Sequence, residues 1–499
     1  MDRSAVQMDR VAGVLLAAAC GDALGVPYEF ASPPPAGEVP RMSGGGLGDY
    51  APGEYSDDTQ MAVCIAEVAA TGADLREPWA LDRIAANFVR WRAGGATDIG
   101  VQTRQVLGSV RDHPIDGLGV AMREAARELH EQTGRSAGNG SLMRTGVVAL
   151  AYLEDPEAMA EAARAVSDLT HFDPLAGDAC VLWCAAVRRA VLDGTFDGLR
   201  EGLELIPAER REQWVAAIDD AERHEPSHFS GNGFVVTALQ AAWSAISPTP
   251  VPADDPAAGS FACDHLRDAL YAAVGAGTDT DTVAAIAGAL LGARWGASAT
   301  PLKWQRAVHG WERKRAADLI ALALLTAGGG KADRVGWPGC DRMEGPIPQA
   351  LMTPHPDDDG VILGNLVTDA VAAGATAVVS LCRVGRAQFG RVPVENQVQV
   401  WLVDQPGANA NTAFALDQAA RAVAALRDEG HQVLLHCAAG QSRTPAVAAR
   451  YTMIRTGKDG RAALDEMRSL LDGHGYYVNY ELRDVVAAFG TPRAATGRE

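Results

Sequence analysis

Apolar residues recur at three- and four-residue spacing in the segments 12–19, 61–70, 80–91, 120–130, 235–244, 283–292 and 316–326. That period holds one face of a helix against a core, and few runs before residue 327 alternate at the two-residue period of a half-buried strand. The pattern predicts an all-helical first domain. Its most apolar run, 11–20, is followed at once by Gly21 and Asp22, so it is too short to cross a bilayer and belongs to a core helix. From about 328 to 360 the periodicity stops and Gly, Pro and acidic residues take over, in GGGKADRVGWPG and MTPHPDDDG, which reads as a linker or a mobile segment. Short β-like runs follow at 361–363, 377–381, 398–403 and 432–436, interleaved with helical patterns at 411–428 and 445–455. This alternation predicts a compact α/β domain. The expected organisation is an all-α domain over 1–327, a Gly/Pro-rich linker over 328–344 and an α/β domain over 345–499.

A chain of 499 residues exceeds what one hydrophobic core usually serves, in agreement with two domains. Its 47% apolar and 21% charged residues are those of a globular protein and exclude general disorder. The net charge of −19 lies mostly before residue 339, where 45 acidic residues face 29 basic ones. Such a surface repels phosphate backbones and no Lys/Arg run reverses the field, which disfavours nucleic acid as a general partner. The eight cysteines form no CxxC pair and several fall in apolar helical patterns, so a reducing cytoplasm and no membrane association are expected.

Two segments carry unusual oxygen density, Ser56-Asp57-Asp58-Thr59 and Thr278-Asp279-Thr280-Asp281-Thr282, each opening an apolar helix. Asp, Ser and Thr are common there simply as N-caps, because their oxygens accept the free backbone N–H groups. A cap uses one oxygen, however, whereas these loops offer four carboxylates and several hydroxyls with no basic neighbour, a set that repels itself unless cations bind it. Hard oxygen ligands select Mg²⁺ or Mn²⁺ over zinc.

The strings GDALGVPYEF at 21–30, SDDTQMA at 56–62, DIGVQT at 98–103, GNGSLMR at 138–144, THFDP at 170–174 and TDTDT at 278–282 occur in an order that resembles the ADP-ribosylglycohydrolases, over residues 10–326. The resemblance implies an orthogonal all-α bundle with two Mg²⁺ or Mn²⁺ ions, held by Ser56, Asp57, Asp58, Asp279, Asp281 and Thr282. Ions so placed can fix the hydroxyls of the distal ribose while Glu29 or Asp98 moves the proton. The turn of Gly138, Asn139, Gly140 and Ser141 lets backbone N–H groups approach a diphosphate, although the same turn is commonly just a tight helix entrance. His171 is expected at the nucleotide or ribose, or alternatively as a structural histidine.

Near the C-terminus an apolar strand pattern leads into Cys437-Ala438-Ala439-Gly440-Gln441-Ser442-Arg443-Thr444 and then a helix. Loop N–H groups aimed inward at a helix N-terminus bind phosphate oxygens and favour a thiolate nucleophile. Arg443 adds a planar fork suited to two phosphoryl oxygens, and Thr444 can donate to the departing sulfur. HCAAGQSRT, with LGN at 363–365 upstream, resembles the signature of tyrosine and dual-specificity phosphatases over residues 345–490. In that family an upstream Asp is the general acid, and Asp404 lies 33 residues before the cysteine; an Asp before Gln-Pro-Gly is also a frequent turn former. No cofactor is expected in this domain, and the absence of Lys inside the loop disfavours polyphosphorylated inositols.

Together these features predict a bifunctional hydrolase acting on an ADP-ribosylated protein or small molecule, or an ADP-ribosylated nucleic acid, and on a phosphorylated substrate. Two alternatives stay open: one domain is a non-catalytic binding module, or the first domain cleaves another ribosyl glycoside. A flexible linker would allow one centre to hand its product to the other.

Overall fold

The computed structural model describes residues 3–32, 34–35, 37–344 and 349–490. Positions 1, 2, 33 and 36 of the expected first domain, and 345–348 and 491–499 of the expected second, lie outside the described residues.

All seven helical patterns of the first part form helices: Ala5–Gly25, Asp57–Ala69, Pro78–Ala93, Leu118–Thr133, Val235–Ile246, Thr280–Trp295 and Ala316–Ala327. Further helices carry weaker patterns. Pro174–Asp193 is buried on nearly every side through its middle, so it shows no polar face, whereas Ala208–Ala221 buries only Trp214, Ala217, Ile218 and Ala221. Apart from isolated bridges, the strand pairing described before residue 327 is one short hairpin, His309–Gly310 with Lys314–Arg315.

The core is organised on the first helix. Ala5–Gly25 and the residues just after it are long and apolar enough to cross a membrane by length and composition, yet 89% of the apolar window is buried inside the fold. It packs antiparallel on Thr280–Trp295 through small residues at four-residue spacing. A Cβ on Gly13, Gly21 or Gly25 would overlap the backbone of Gly292, Ala284 or Asp281 respectively, and one on Gly288 would overlap that of Ala17. The two backbones therefore touch, and this contact sets Asp22 of one helix beside Asp281 of the other.

The second part is a five-stranded sheet in the spatial order Met352–His355, Asp358–Gly364, Val433–His436, Ala377–Ser380, Gln397–Gln399. The first pair is antiparallel and the rest parallel. Gly364, His436 and Ser380 are in register, so three strands end at one edge, and Cys437 follows at that edge. Helices Thr412–Asp428, Arg443–Thr456, Gly460–Leu471 and Tyr480–Ala488 complete the domain. The run expected at 398–403 yields only Gln397–Gln399 as strand, and Met352–His355 forms inside the stretch read as linker.

The Gly/Pro-rich stretch is not free chain. Arg383 pairs with Asp333 at 2.5 Å and lies over the Trp337 ring, Arg386 N donates to Cys340 O, and Met343 N donates to Gln388 Oε1. The two parts also meet directly. Asn411 Nδ2 donates to Trp295 O at 2.7 Å and to Ser298 Oγ at 2.8 Å, Arg306 pairs with Glu429 at 2.6 Å, and Phe261 meets Phe414 edge to face. Composition alone reads as flexible a segment that local hydrogen bonds and one cation–π contact hold in place.

Candidate functional site

Asp22 is completely buried inside an apolar helix and spends both oxygens on another one: Oδ1 accepts from Ser56 N at 2.7 Å, and Oδ2 from Thr59 N at 3.0 Å and Thr59 Oγ1 at 2.6 Å. The helix Asp57–Ala69 is thus capped by a distant carboxylate. Neither Ser56 nor Asp279, the two residues in N-cap position, makes a side-chain capping bond. The acidic side chains at both entrances are left for something else.

They converge. Carboxylate oxygens of Asp22, Asp58 and Asp281 lie within 4.8 Å of one another, as do those of Glu29, Asp279 and Asp281, so Asp281 belongs to both groups. Ser56 Oγ donates to Asp58 Oδ2 at 3.0 Å and Thr282 Oγ1 to Asp58 Oδ1 at 2.9 Å. Burial first, and then neighbouring carboxylates, push Asp57, Asp58 and Asp281 well above the usual carboxylate range and Glu29 up to about 8. Burial likewise raises Asp98 and Asp279, and takes Asp22 up to about 6 against its hydrogen bonds. Among the described residues no Lys or Arg lies within ion-pair distance of these carboxylates, and the basic group that acts on Asp98 from farther off is Arg104. One oxygen each of Glu29 and Asp98 is buried without a hydrogen-bond partner. An all-oxygen, self-repelling set of this kind, with two oxygens left unpartnered, fits hard divalent cations.

The backbone around it is strained. Phe30 (φ 47°) and Thr278 (φ 64°) both sit in the left-handed region that a β-branched residue avoids, and Phe30 N donates to Thr278 O at 2.6 Å. That pair clamps Glu29 to Asp279. Asn139 Nδ2 donates to Asp279 Oδ2 at 2.7 Å and Asn232 Oδ1 accepts from Asp279 N, so both amides position this carboxylate. Gly138 and Gly140 lie against the His171 ring, where added Cβ atoms would come within 3.2 and 3.1 Å of ring atoms. His171 is 2% exposed, its Nδ1 is 2.7 Å from Thr170 Oγ1, and burial lowers it to about 3, so it is a neutral imidazole backing the glycine turn. Ser141 points into the core, accepting from Ser167 Oγ. Tyr50 adds a buried hydroxyl that burial and the charge of Asp57 push up.

In the second domain Cys437 leaves the strand Val433–His436 and is 1% exposed, and Gly440 N donates to its Sγ at 3.2 Å. Gly440 has φ 80°, and a Cβ there would strike Leu351, so this donor depends on glycine. Arg443 Nη1 donates to Leu381 O at 2.7 Å and Leu402 O at 2.9 Å, which fixes the guanidinium, while its buried Nε has no hydrogen-bond partner. Asp404 stands 3.6 Å from that Nε, its Oδ1 accepting from Ser442 Oγ and Asn479 Nδ2, each at 2.7 Å. Thr444 Oγ1 lies 3.5 Å from Gly364 O on the neighbouring strand, in the helix that opens directly after the loop. His436 is buried and lowered to about 4.

Sequence reasoning left out Asp22, Tyr50, Asn232 and Asn479 as site residues. Asp22 had a legible signal, a lone carboxylate in the middle of a buried apolar run; the others depend on contacts distant in sequence.

A carboxylate-lined centre in a helical fold, joined in one chain to a cysteine–arginine loop at the end of a parallel sheet, defines a hydrolase with two centres. The ADP-ribosylglycohydrolase family pattern matches residues 3–333, and the chain belongs to that family. The dual specificity phosphatase catalytic domain matches residues 374–474, so both domains are of hydrolase families. ADP-ribosylarginine hydrolase Tri1 of Pseudomonas putida (strain GB-1) is 28% identical over 300 residues, covering 60% of this chain and 73% of that protein. ADP-ribosyl-[dinitrogen reductase] glycohydrolase of Rhodospirillum rubrum is 26% identical over 336 residues, covering 64% and 97%. Human ADP-ribosylhydrolase ARH3 is 26% identical over 304 residues, covering 54% and 78%.

Proposed function

We propose that the helical domain hydrolyses the N- or O-glycosidic bond of an ADP-ribosyl group with two Mg²⁺ or Mn²⁺ ions, and that the α/β domain hydrolyses phosphomonoesters through Cys437. The observation that carries the first half is the convergence of carboxylates from both helix entrances and Glu29 into two groups that share Asp281, with neither N-cap side chain making a capping bond. Ser56, Asp57, Asp58, Asp279, Asp281 and Thr282 hold the ions, with Asp22 bracing the first entrance and Asn139 the second. When bound, such ions fix the ribose hydroxyls and stabilise charge developing near the anomeric carbon. Glu29 and Asp98 hold or release the proton of the attacking water and leaving group. The Gly138–Gly140 turn gives room for the diphosphate, with neutral His171 behind it.

In the second domain the Cys437 sulfur attacks phosphorus, Arg443 holds phosphoryl oxygens through the Nε now unpartnered, and Asp404 protonates the leaving oxygen. The cytoplasm is the proposed compartment, where eight free cysteines stay reduced. Arginine-linked ADP-ribose is the first substrate to test, because one of the relatives above is named for ADP-ribosylarginine. The assay is ADP-ribose release from ADP-ribosylated arginine with and without Mg²⁺, beside aryl phosphate hydrolysis by wild type and Cys437→Ser. Full glycohydrolase activity in excess chelator would refute the metal assignment, and an active Cys437→Ser protein would refute the nucleophile.

A further inference from the structure

Outside both centres, Asp220, His224 and His228 bring a carboxylate oxygen and two imidazole nitrogens within 4.8 Å of one another. Asp220 closes the helix Ala208–Ala221, His224 follows at the i+4 position, and His228 lies in the short turn Pro226–Phe229. Asp220 Oδ1 and His224 Nδ1 are 3.1 Å apart, and the same nitrogen lies 3.0 Å from Asp220 O, so ion binding replaces the proton that Nδ1 shares with these oxygens. The His224 and His228 rings lie parallel, centroids 4.2 Å apart, and Phe229 meets both edge to face. Gln240 Nε2 donates to Asp220 Oδ2 at 3.3 Å, the kind of second contact that orients a ligating carboxylate. The competing cation is Arg223, 3.6 Å from Asp220 Oδ1 and itself exposed, hence free to swing away.

We propose that Asp220, His224 and His228 bind one borderline-soft divalent ion of the zinc class, with water completing the coordination. Two imidazoles and one carboxylate select Zn²⁺, Ni²⁺ or Co²⁺ over Mg²⁺, the reverse of the all-oxygen centre. His228 is exposed and reaches the third position by rotating its side-chain torsions. The ion would tie the end of one helix to the segment that supports the carboxylate centre. Ser230 O accepts from Thr278 Oγ1 at 2.8 Å, and Asn232 accepts from Asp279 N and donates to Gly277 O at 2.9 Å. A zinc clip at His228 therefore steadies the strap that holds Thr278 and Asp279.

The test uses the full chain in excess Mg²⁺, which fills hard-oxygen sites, and titrates Zn²⁺ against a chromophoric chelator. Wild type should bind one zinc equivalent that His224→Gln and His228→Gln each weaken at least a hundredfold, and zinc should raise Tm in wild type alone. X-ray absorption at the zinc edge of wild type loaded with one equivalent should show two imidazoles per ion. Circular dichroism checks that both exposed-site variants remain folded. Zinc stoichiometry and affinity identical in wild type and both variants, or no zinc bound by wild type, overturns the proposal.

Discussion

Asp58 receives hydroxyl donors from Ser56 and Thr282 on its two oxygens, joining the helix entrances that the sequence places more than two hundred residues apart. Replacing it by Asn removes a hard ligand but keeps the volume, so Asp58→Asn should cut glycohydrolase turnover by at least two orders of magnitude and weaken Mg²⁺ binding in calorimetry. Aryl phosphate hydrolysis should stay at the wild-type rate, and a parallel loss of both activities would point to misfolding instead. At the other centre, Asp404 is held by Ser442 and Asn479 beside Arg443. Asp404→Asn should slow hydrolysis of alkyl phosphates far more than that of nitrophenyl phosphate, because only the poor leaving group needs its proton. Equal slowing of both substrates would place the acid elsewhere.

At the scale of elements, the pair Ala5–Gly25 and Thr280–Trp295 is a backbone-to-backbone contact with a carboxylate from each helix at its end. Gly25→Ala places a methyl group against the Asp281 backbone, an overpacking of about 1–3 kcal/mol. It should lower Tm and Mg²⁺ affinity together. Further along the first helix, Asp9 is 1% exposed, accepts from Ser298 N at 2.9 Å and Ser298 Oγ at 2.5 Å, and is raised by burial to about 7. The native state therefore binds this proton more tightly than the unfolded chain, whose Asp titrates near 4. The contribution is present in full below about pH 4 and is lost as pH rises through about 7, on the order of 4 kcal/mol. Urea unfolding from pH 5 to 8 should show wild type losing stability relative to Asp9→Asn; parallel curves would remove Asp9 from the account.

For the whole molecule, the contact between domains runs through Asn411, the N-cap residue of Thr412–Asp428, which reaches Trp295 O and Ser298 Oγ. Ser298 in turn rests on Asp9, so the phosphatase helix is tied to the first helix of the glycohydrolase core. Asn411→Ala leaves both acceptors short of a donor at about 1–3 kcal/mol. Scanning calorimetry should then show the domains melting in separate steps, where wild type melts in one. Residues 333–343 contact the second domain and this interface is formed, contacts that the Gly/Pro-rich composition does not announce.

Most elements and the two chemical signatures were legible in the sequence, since apolar period and clustered acid or Cys-x5-Arg strings are local properties of the chain. The periodicity gave seven helices of the first domain and three of the parallel strands, and the acid-rich entrances were already set apart from ordinary caps by their excess of oxygen. It could not show that Asp22 takes over the capping, that Asn139 serves Asp279, that Ser167 donates to Ser141, or that residues 333–343 are docked. Those outcomes depend on which partner a polar atom meets across the fold. The sequence by itself determined the families, the helical and α/β architectures and the reactive side chains. The tertiary structure alone decided which carboxylates converge, because close packing of glycine-lined helices more than two hundred residues apart brings Asp22 and Asp58 to Asp281.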